Sequence, residues 1–348
     1  MKTYYRPTGL VFGADVARMV RDGDALPLAG LAHVGFTHVD VITRHKGVVE
    51  RDMQRISGVD DSAALDRLSA ARPAFAGIDL SAPCIMGIVN VTPDSFSDGG
   101  KLTSDAAAIS HGEQLASEGA AILDVGGEST RPGSDTVPDE EELARVIPVI
   151  AALSQAHLVS VDTRKPAVME QALAAGARII NDVSALGHDP RSAIVARQAA
   201  CPVVLMHAQG EPKTMQLQPR YDDVLLDVFD GLEDRVAQAE AAGIPRRLLC
   251  VDPGIGFGKT FRQNLVLLSG FAIFHGLGLP VMMGLSRKGF VGALTGEKTA
   301  GNRVYGSVGG ALQSAMAGAH VLRVHDVRAT REALAVFTAA LHPDSADI

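Results

Sequence analysis

The residues of this chain that could do chemistry stand at the ends of short apolar runs. Asn90, Asp162, Asn181-Asp182, His207, Asp252, Ser286-Arg287-Lys288 and His325 follow such a run closely, while Asp124 and Arg323 stand within one, near its end. Asp162, Asn181 and Asp252 offer carboxylates and a carboxamide able to pair with the N–H edge of a heterocycle. Lys288, Arg323, His325 and nearby Gly-rich backbone suit a phosphate. Any one of these residues has a simpler reading, since a single Asp after a strand usually caps a helix or shapes a turn. Capping accounts poorly for the combination.

Two loops follow the first two apolar runs, at 92–100 and 126–133, rich in hydroxyls and flanked by glycine. Phe96 is an odd choice for an exposed turn, and such loops suit closure over a ligand. The stretch 252–260, Asp-Pro-Gly-Ile-Gly-Phe-Gly-Lys-Thr, looks like a phosphate loop. It has Pro253 where a Walker A motif needs glycine, and its glycine spacing misses the dinucleotide fingerprint. Its glycines would let backbone pass close to a flat ligand beside Phe257.

For these residues to meet, the elements carrying them must end on one face. Eight apolar runs read as buried strands: 85–89, 121–125, 158–161, 178–180, 203–206, 248–251, 281–284 and 320–324. Helical spacing fills 104–118, 138–156, 165–175, 190–199, 222–242, 264–275, 303–319 and 327–341. Strands that are apolar throughout and alternate with helices imply a parallel sheet covered on both faces. The repeat count and length fit an α/β fold of the (β/α)₈ TIM-barrel type over residues 81–348, whose strand ends share one rim. A doubly wound sheet is the alternative, but Asn90-Val91-Thr92-Pro93 is not its Gly-rich turn. Residues 1–80 read as an N-terminal extension of unknown role, with a strand at 37–43, a helix at 62–71 and no chemical cluster. Residues 1–75 are therefore expected to be dispensable for turnover.

Composition narrows the class. The 348 residues carry a net charge of −8, which argues against a nucleic-acid backbone as partner. Cys84, Cys201 and Cys250 match neither a zinc spacing nor a disulfide framework and read as reduced, buried thiols. The N-terminus lacks the apolar run of a secretory signal. Residues 263–286 contain no Asp, Glu, Lys or Arg, yet Gly270, Gly276, Gly278 and Pro280 make a buried helix, turn and strand the better reading than a membrane span. A soluble, cytoplasmic protein is expected.

The motifs then match a known family. Residues 86–100, Met-Gly-Ile-Val-Asn-Val-Thr-Pro-Asp-Ser-Phe-Ser-Asp-Gly-Gly, resemble the first signature of dihydropteroate synthases. Residues 124–133, Asp-Val-Gly-Gly-Glu-Ser-Thr-Arg-Pro-Gly, resemble the second. Ser160–Thr163, Ile180–Asp182, Leu205–His207, Asp252–Gly254, Ser286–Lys288 and Arg323–Val327 follow in the family's order. The resemblance covers about three quarters of the chain. It implies condensation of 6-hydroxymethyl-7,8-dihydropterin diphosphate with p-aminobenzoate, giving 7,8-dihydropteroate and pyrophosphate in folate synthesis.

Residue by residue, the resemblance implies that Asn90 ligates Mg²⁺ on the diphosphate. It implies that Asp162, Asn181, Asp252 and Lys288 hold the pterin, lined by Met206 and Phe257. Thr130, Arg131, Arg323 and His325 would grip the diphosphate, and Phe96, Pro132 and Ser286 would form the p-aminobenzoate site. Asp162, Lys288, Arg323 and His325 would act on the reacting groups, and a homodimer is implied. The chain departs from the common pattern at Arg164, Ala208 and Gly289. A pterin-dependent methyltransferase and a non-catalytic pterin-binding protein are the rivals. The first has no need of the Asn90 loop or of the Arg323/His325 pair, and the second releases no pyrophosphate.

Overall fold

The computed structural model describes residues 1–92, 104–129, 136–210 and 214–341. Its N-terminal part comprises β1 (Lys2–Phe12), α1 (Ala14–Asp22), β2 (Leu26–Pro27), β3 (Val34–His45), β4 (Val48–Arg55) and α2 (Ser62–Ser69). β1 runs antiparallel along one edge of β3, while β2 and β4 share the other. Lys46 and Gly47, both at positive φ, make the two-residue turn that joins β3 to β4. The expected strand at 37–43 lies within β3, and the helix expected at 62–71 starts at Ser62 as α2 but stops at Ser69; β1, α1 and β4 were not foreseen.

From Cys84 onward the chain alternates strand and helix. The order is β5 (Cys84–Asn90), α3 (Ser104–Glu118), β6 (Ile122–Gly126), α4 (Asp139–Leu153), β7 (Val159–Asp162), α5 (Pro166–Ala174), β8 (Ile179–Asp182) and α6 (Pro190–Ala199). It continues through β9 (Val203–Met206), α7 (Val224–Ala241), β10 (Leu249–Asp252), α8 (Phe261–Ser269), β11 (Met282–Met283), α9 (Gly289–Thr295), α10 (Val304–Met316), β12 (Val321–Val324) and α11 (Val327–Leu341). The eight strands are parallel in the order β10-β9-β8-β7-β6-β5-β12-β11. The ring closes where the Val251 N–H donates to the Pro280 carbonyl at 3.0 Å and Val251 bridges Val281. This is the expected barrel.

The uncharged stretch 263–286 resolves into α8, a 3₁₀ turn at Phe271–Leu277 and the two-residue β11. The helix anticipated at 264–275 therefore stops earlier, at Ser269 with Gly270 after it. Among the described residues no helix is long and apolar enough to cross a membrane. Cys201 and Cys250 are buried and Cys84 is half-buried; all three are free, and burial pushes the Cys84 thiol up to about 12 and that of Cys201 to about 11.

Strand periodicity sorts the barrel's side chains into two sets. Ile85, Val89, Leu123, Val125, Val161, Ile180, Leu205, Val251, Leu322 and Val324 join the large core that the helices cover. Met86, Ile122, Ile179, Val204, Cys250, Met282 and Val321 form a separate cluster that fills the barrel's interior toward its lower end. Phe75 and Leu80, 1% and 3% exposed, close that cluster as a plug. Two residues farther along the same strands, the inward positions carry Asp124, Asn181, Met206, Asp252, Gly284 and Arg323. An apolar layer thus supports a polar one.

The N-terminal part has its own core of Leu28, Leu31, Val34, Phe36, Val39, Ile56 and Leu68, yet Tyr4 and Ile42 belong to the barrel's core. Tyr4 packs edge-on against Phe229 of α7, ring centroids 5.5 Å apart. Around this contact Lys2 bonds Asp230 and Glu233, and Arg44 bonds Asp227 and Asp230. Arg72 donates to the His275 carbonyl at 3.1 Å. Buried His275 and His320 stack edge-on at 5.6 Å beneath this junction.

Two predictions follow from this packing. A chain starting at Ala76 loses the Phe75 plug, whereas one starting at Ala71 keeps it. The shorter chain should be less stable by about 3–5 kcal/mol, the usual cost of emptying a large aromatic site, with unchanged KM in the folded fraction of both. Urea unfolding and initial rates check this, and an altered KM in the Ala71 chain would show that the first seventy residues shape the site. The second concerns acid. His275 donates from Nε2 to the Ala317 carbonyl, and burial pushes its pKa down to about 3. The unfolded chain takes up a proton below about 6.5 that the native state refuses, so stability falls as pH drops below that value. His275→Gln, which keeps the donor, should gain on the wild type by about 1–2 kcal/mol between pH 6.5 and 5. Parallel stability curves for the two proteins would refute it.

Candidate active site

The polar layer is a connected network. Arg323 donates from Nε to Asp124 Oδ2 and from Nη2 to Asp162 Oδ2, both at 2.6 Å. Asn181 Nδ2 donates to the same Asp124 oxygen at 2.9 Å. Asp124 is 0% exposed and Asp162 9%, so the guanidinium compensates two buried carboxylates from β6 and β7. Asp252 accepts from the Gly254 N–H at 2.7 Å. Gly284 leaves the interior open here, since a Cβ placed on it would lie 3.7 Å from both Asp252 Oδ2 and Arg323 Cβ.

Burial dominates the titration of this layer. It pushes the Asp162 carboxyl up to about 7, with Arg323 opposing and Asp124 adding to the rise. It raises Asp252 as well, against Lys288 and the Gly254 N–H. Burial lowers Lys288 to about 8, with Asp252 pulling the other way. Burial also works against the Arg323 charge, but Asp124 and Asp162 outweigh it and hold the group above its ordinary value.

The rim is built from the loops after β10, β11 and β12. Lys288 bonds the Ile255 carbonyl and lies 4.6 Å from the Phe257 ring centroid. Ser286 Oγ meets both the backbone N–H and Nδ1 of His325, at 3.2 and 3.1 Å. Between Ser286 and Lys288, Arg287 adopts φ +59° and grips Asp326 with Nε and Nη2. The Arg287 N–H donates to Ser307 Oγ, and its carbonyl accepts from Arg303. A non-glycine residue in this region costs about 1–3 kcal/mol unless its surroundings dictate it; here they do.

Beside β7, Arg164 donates to Glu128 at 2.9 Å and Thr136 at 3.3 Å, while Lys165 bonds Glu142 and reaches Glu128, both at 2.6 Å. These cations join the two described ends of the loop after β6. The uncommon Arg164 therefore has a structural task.

The barrel brings together Asp162, Asn181, Met206, Asp252, Phe257, Ser286, Lys288, Arg323 and His325 at its C-terminal end, with Asn90 at the end of β5. Phe96, Thr130, Arg131 and Pro132 lie outside the described residues. Asp182, adjacent to Asn181, points the other way along the strand alternation. It caps the following turn through the Ser184 and Leu186 N–H groups. Sequence reasoning did not foresee that Asp124 anchors Arg323 and Asn181, nor that Asp326 and Ser307 fix Arg287. Asp124 carried a signal, because it lies two residues beyond Ile122 on the inward face.

Comparison with known proteins agrees with this geometry. A family model described as pterin binding enzyme matches residues 86–325. Dihydropteroate synthase of Escherichia coli K12 is 48% identical over 266 residues, spanning 76% of this chain and 94% of that protein. The protein of that name from Neisseria meningitidis serogroup B is 50% identical over 268 residues, spanning 75% and 94%. Xanthomonas albilineans dihydropteroate synthase solved with 4-aminobenzoic acid superimposes with a TM-score of 0.72 at 52% identity, over 76% of this chain and 96% of that one. The same enzyme solved with 7,8-dihydropteroate gives a TM-score of 0.69 at 50% identity, over 76% and 95%. A barrel whose inward polar layer carries the family's residues, together with half-identity over three quarters of its length, places this chain in the dihydropteroate synthase family of pterin-binding enzymes.

Proposed function

We propose that the protein condenses 6-hydroxymethyl-7,8-dihydropterin diphosphate with p-aminobenzoate, releasing pyrophosphate and 7,8-dihydropteroate. The observation that carries this reading is the buried polar layer itself. Acids and an amide from β7, β8 and β10 share one cavity with cations from β12 and the β11 loop. Asp162, Asn181 and Asp252 meet the hydrogen-bonding edge of the pterin, and Met206 and Phe257 flank its faces. Pterin N–H groups then replace water as partners of the buried carboxylates, and this selects the heterocycle.

The reaction breaks the C–O bond to the diphosphate and forms a C–N bond to the aniline nitrogen, which loses a proton. Asp162 and Asp252 stabilise cation character at the pterin methylene as the C–O bond lengthens, and Lys288, Arg323 and His325 hold the charge gathering on the leaving group. Arg323 does both tasks. Its bonds to Asp124 and Asp162 use two of five N–H donors, and the rest serve a phosphate. The attacking nitrogen belongs to the substrate, so the chain needs no nucleophile of its own.

Asn90 supplies a carboxamide oxygen at the rim, and among the described residues no three His, Cys, Asp or Glu side chains gather as a metal site. That donor set suits Mg²⁺ held mainly by the diphosphate oxygens, because Mg²⁺ accepts one or two protein ligands plus phosphate and water. Such an ion would neutralise phosphate charge. We also propose a cytoplasmic homodimer: α8, α9 and α10 expose Phe261 at 56%, Leu294 at 63% and Tyr305 at 90%.

A pyrophosphate-release assay with both substrates tests the reaction. Release that requires p-aminobenzoate supports it; methyl transfer, or binding without release, would select a rival. Two sets of variants test the roles. Asp162→Asn and Asp252→Asn should each weaken dihydropterin binding by about tenfold or more, because an amide accepts more weakly from the same N–H groups. Tm should change little for Asp252→Asn and fall for Asp162→Asn, which takes one of the two carboxylate partners of Arg323. Calorimetric titration with unchanged affinity in both would sink the assignment. His325→Ala should cut turnover by about 10²-fold, as loss of a charge-stabilising donor typically does, with Tm near wild type. Arg323→Ala should lose turnover and also about 3–5 kcal/mol of stability, since it strands Asp124 and Asp162. Pyrophosphate with Mg²⁺ should protect the wild type against heat and both variants much less. Equal protection would put the diphosphate elsewhere.

A further inference from the structure

Lys259 is 1% exposed and makes no ion pair among the described residues. Its Nζ instead donates to the carbonyls of Gly254 at 2.9 Å, Phe257 at 3.0 Å and His207 at 3.2 Å, and meets His207 Nδ1 at 3.1 Å. The ammonium sits where two backbones cross, the exit from β9 and the loop between β10 and α8. The crossing is tight. A Cβ on Gly254 would lie 1.9 Å from the His207 carbonyl oxygen, and one on Gly258 2.3 Å from that of Gln209. Both glycines also sit at positive φ, at 65° and 64°.

The loop has little backbone bonding of its own, so side chains hold its carbonyls one by one. Lys288 takes Ile255, Gln216 takes Gly256, Tyr221 takes Gly258, and Lys259 takes Gly254 and Phe257 together. Only an ammonium brings three N–H donors to one point from one atom. Burial pushes Lys259 down to about 7, with Asp252 opposing, so burying an ammonium here has a cost that a purely space-filling residue would avoid. The residue it fixes matters, because the Phe257 ring lies beside the Lys288 ammonium.

We infer that Lys259 is a positioning residue, whose clasp on the Gly254 and Phe257 carbonyls sets the wall formed by Phe257 and Lys288 beside the bound pterin. The inference rests on the reaction proposed above. Lys259 need touch neither substrate: without it the loop relaxes, and the aromatic ring and the ammonium lose their fixed separation.

The test begins with wild-type pyrophosphate release. Failure there would strike the proposed reaction and leave the variants to be compared by titration with 6-hydroxymethylpterin. Lys259→Met and Lys259→Gln are then compared with wild type for Tm, kcat and KM. A residue that only supports folding would lower Tm and the active fraction, leaving KM of the folded protein unchanged. A positioning residue raises KM for the dihydropterin diphosphate, or the pterin Kd, on the order of tenfold in molecules that remain folded, the loss of about one well-aligned interaction. Lys259→Arg, which keeps the charge and the donors, should recover part of that loss. Should the Met protein not fold, the Gln protein carries the measurement, since it retains N–H donors at the crossing. Pterin affinity within twofold of wild type in a folded Met or Gln protein would overturn the inference.

Discussion

The structure turns on one electrostatic constraint: Asp124, Asp162 and Asp252 are buried inside a barrel, where an unpaired carboxylate is not tolerated. Removing such an ion from water costs several kcal/mol, recovered only through good geometry and further hydrogen bonds. Arg323 meets that demand for two of the acids at once, and Asn181 adds a donor to Asp124. The layer below, plugged by Phe75 and Leu80, seals the interior from one end. Each charge in the layer is therefore open to exchange only from the rim, where a ligand arrives.

Strain is used to couple the two loops of the rim above that layer. Arg287 is held in the left-handed region by four hydrogen bonds to three residues, and its carboxylate partner, Asp326, directly follows His325. Ser286 bonds His325 from the other side. Consequently Ser286, Lys288 and His325 cannot move independently, although they come from two loops. Fixed donors lower the reorganisation needed when charge develops on a leaving group.

Much of this was legible in the sequence because the barrel's logic is periodic. Apolar runs at regular intervals gave the strands, and the residue ending each run gave the site. The interior layer followed the two-residue alternation, which also separates inward Asn181 from outward Asp182. What the sequence did not disclose depends on distance in space. Arg323 and Asp124 are 199 residues apart, so their bond depends on β6 and β12 flanking β5 rather than on any local spacing. Lys259 looked like part of a failed phosphate loop, and only the crossing of two backbones reveals what its ammonium holds. β1 was hidden by Pro7 and Gly9, and β4 by its charges. Both pair on one side only, with β3. Edge strands tolerate Pro and favour charge, the very features that mask them.

The order of strands around the ring explains why one cavity can serve two chemically opposite ends of a substrate. Passing from β6 through β7 and β8 to β10, the interior presents Asp124, Asp162, Asn181 and Asp252. Passing on through β11 and β12, it presents Lys288, Arg323 and His325. Asn90 follows on β5, beside β12. Acids occupy one arc and cations the other. Under the proposed reaction, a pterin turned toward the first arc would aim its diphosphate at the second, so the order of strands itself would orient the substrate. Arg323 marks the boundary between the arcs. It belongs to the cationic arc by strand and to the acidic arc by bonding, and under the proposed reaction it would couple charge on the leaving group to Asp124 and Asp162.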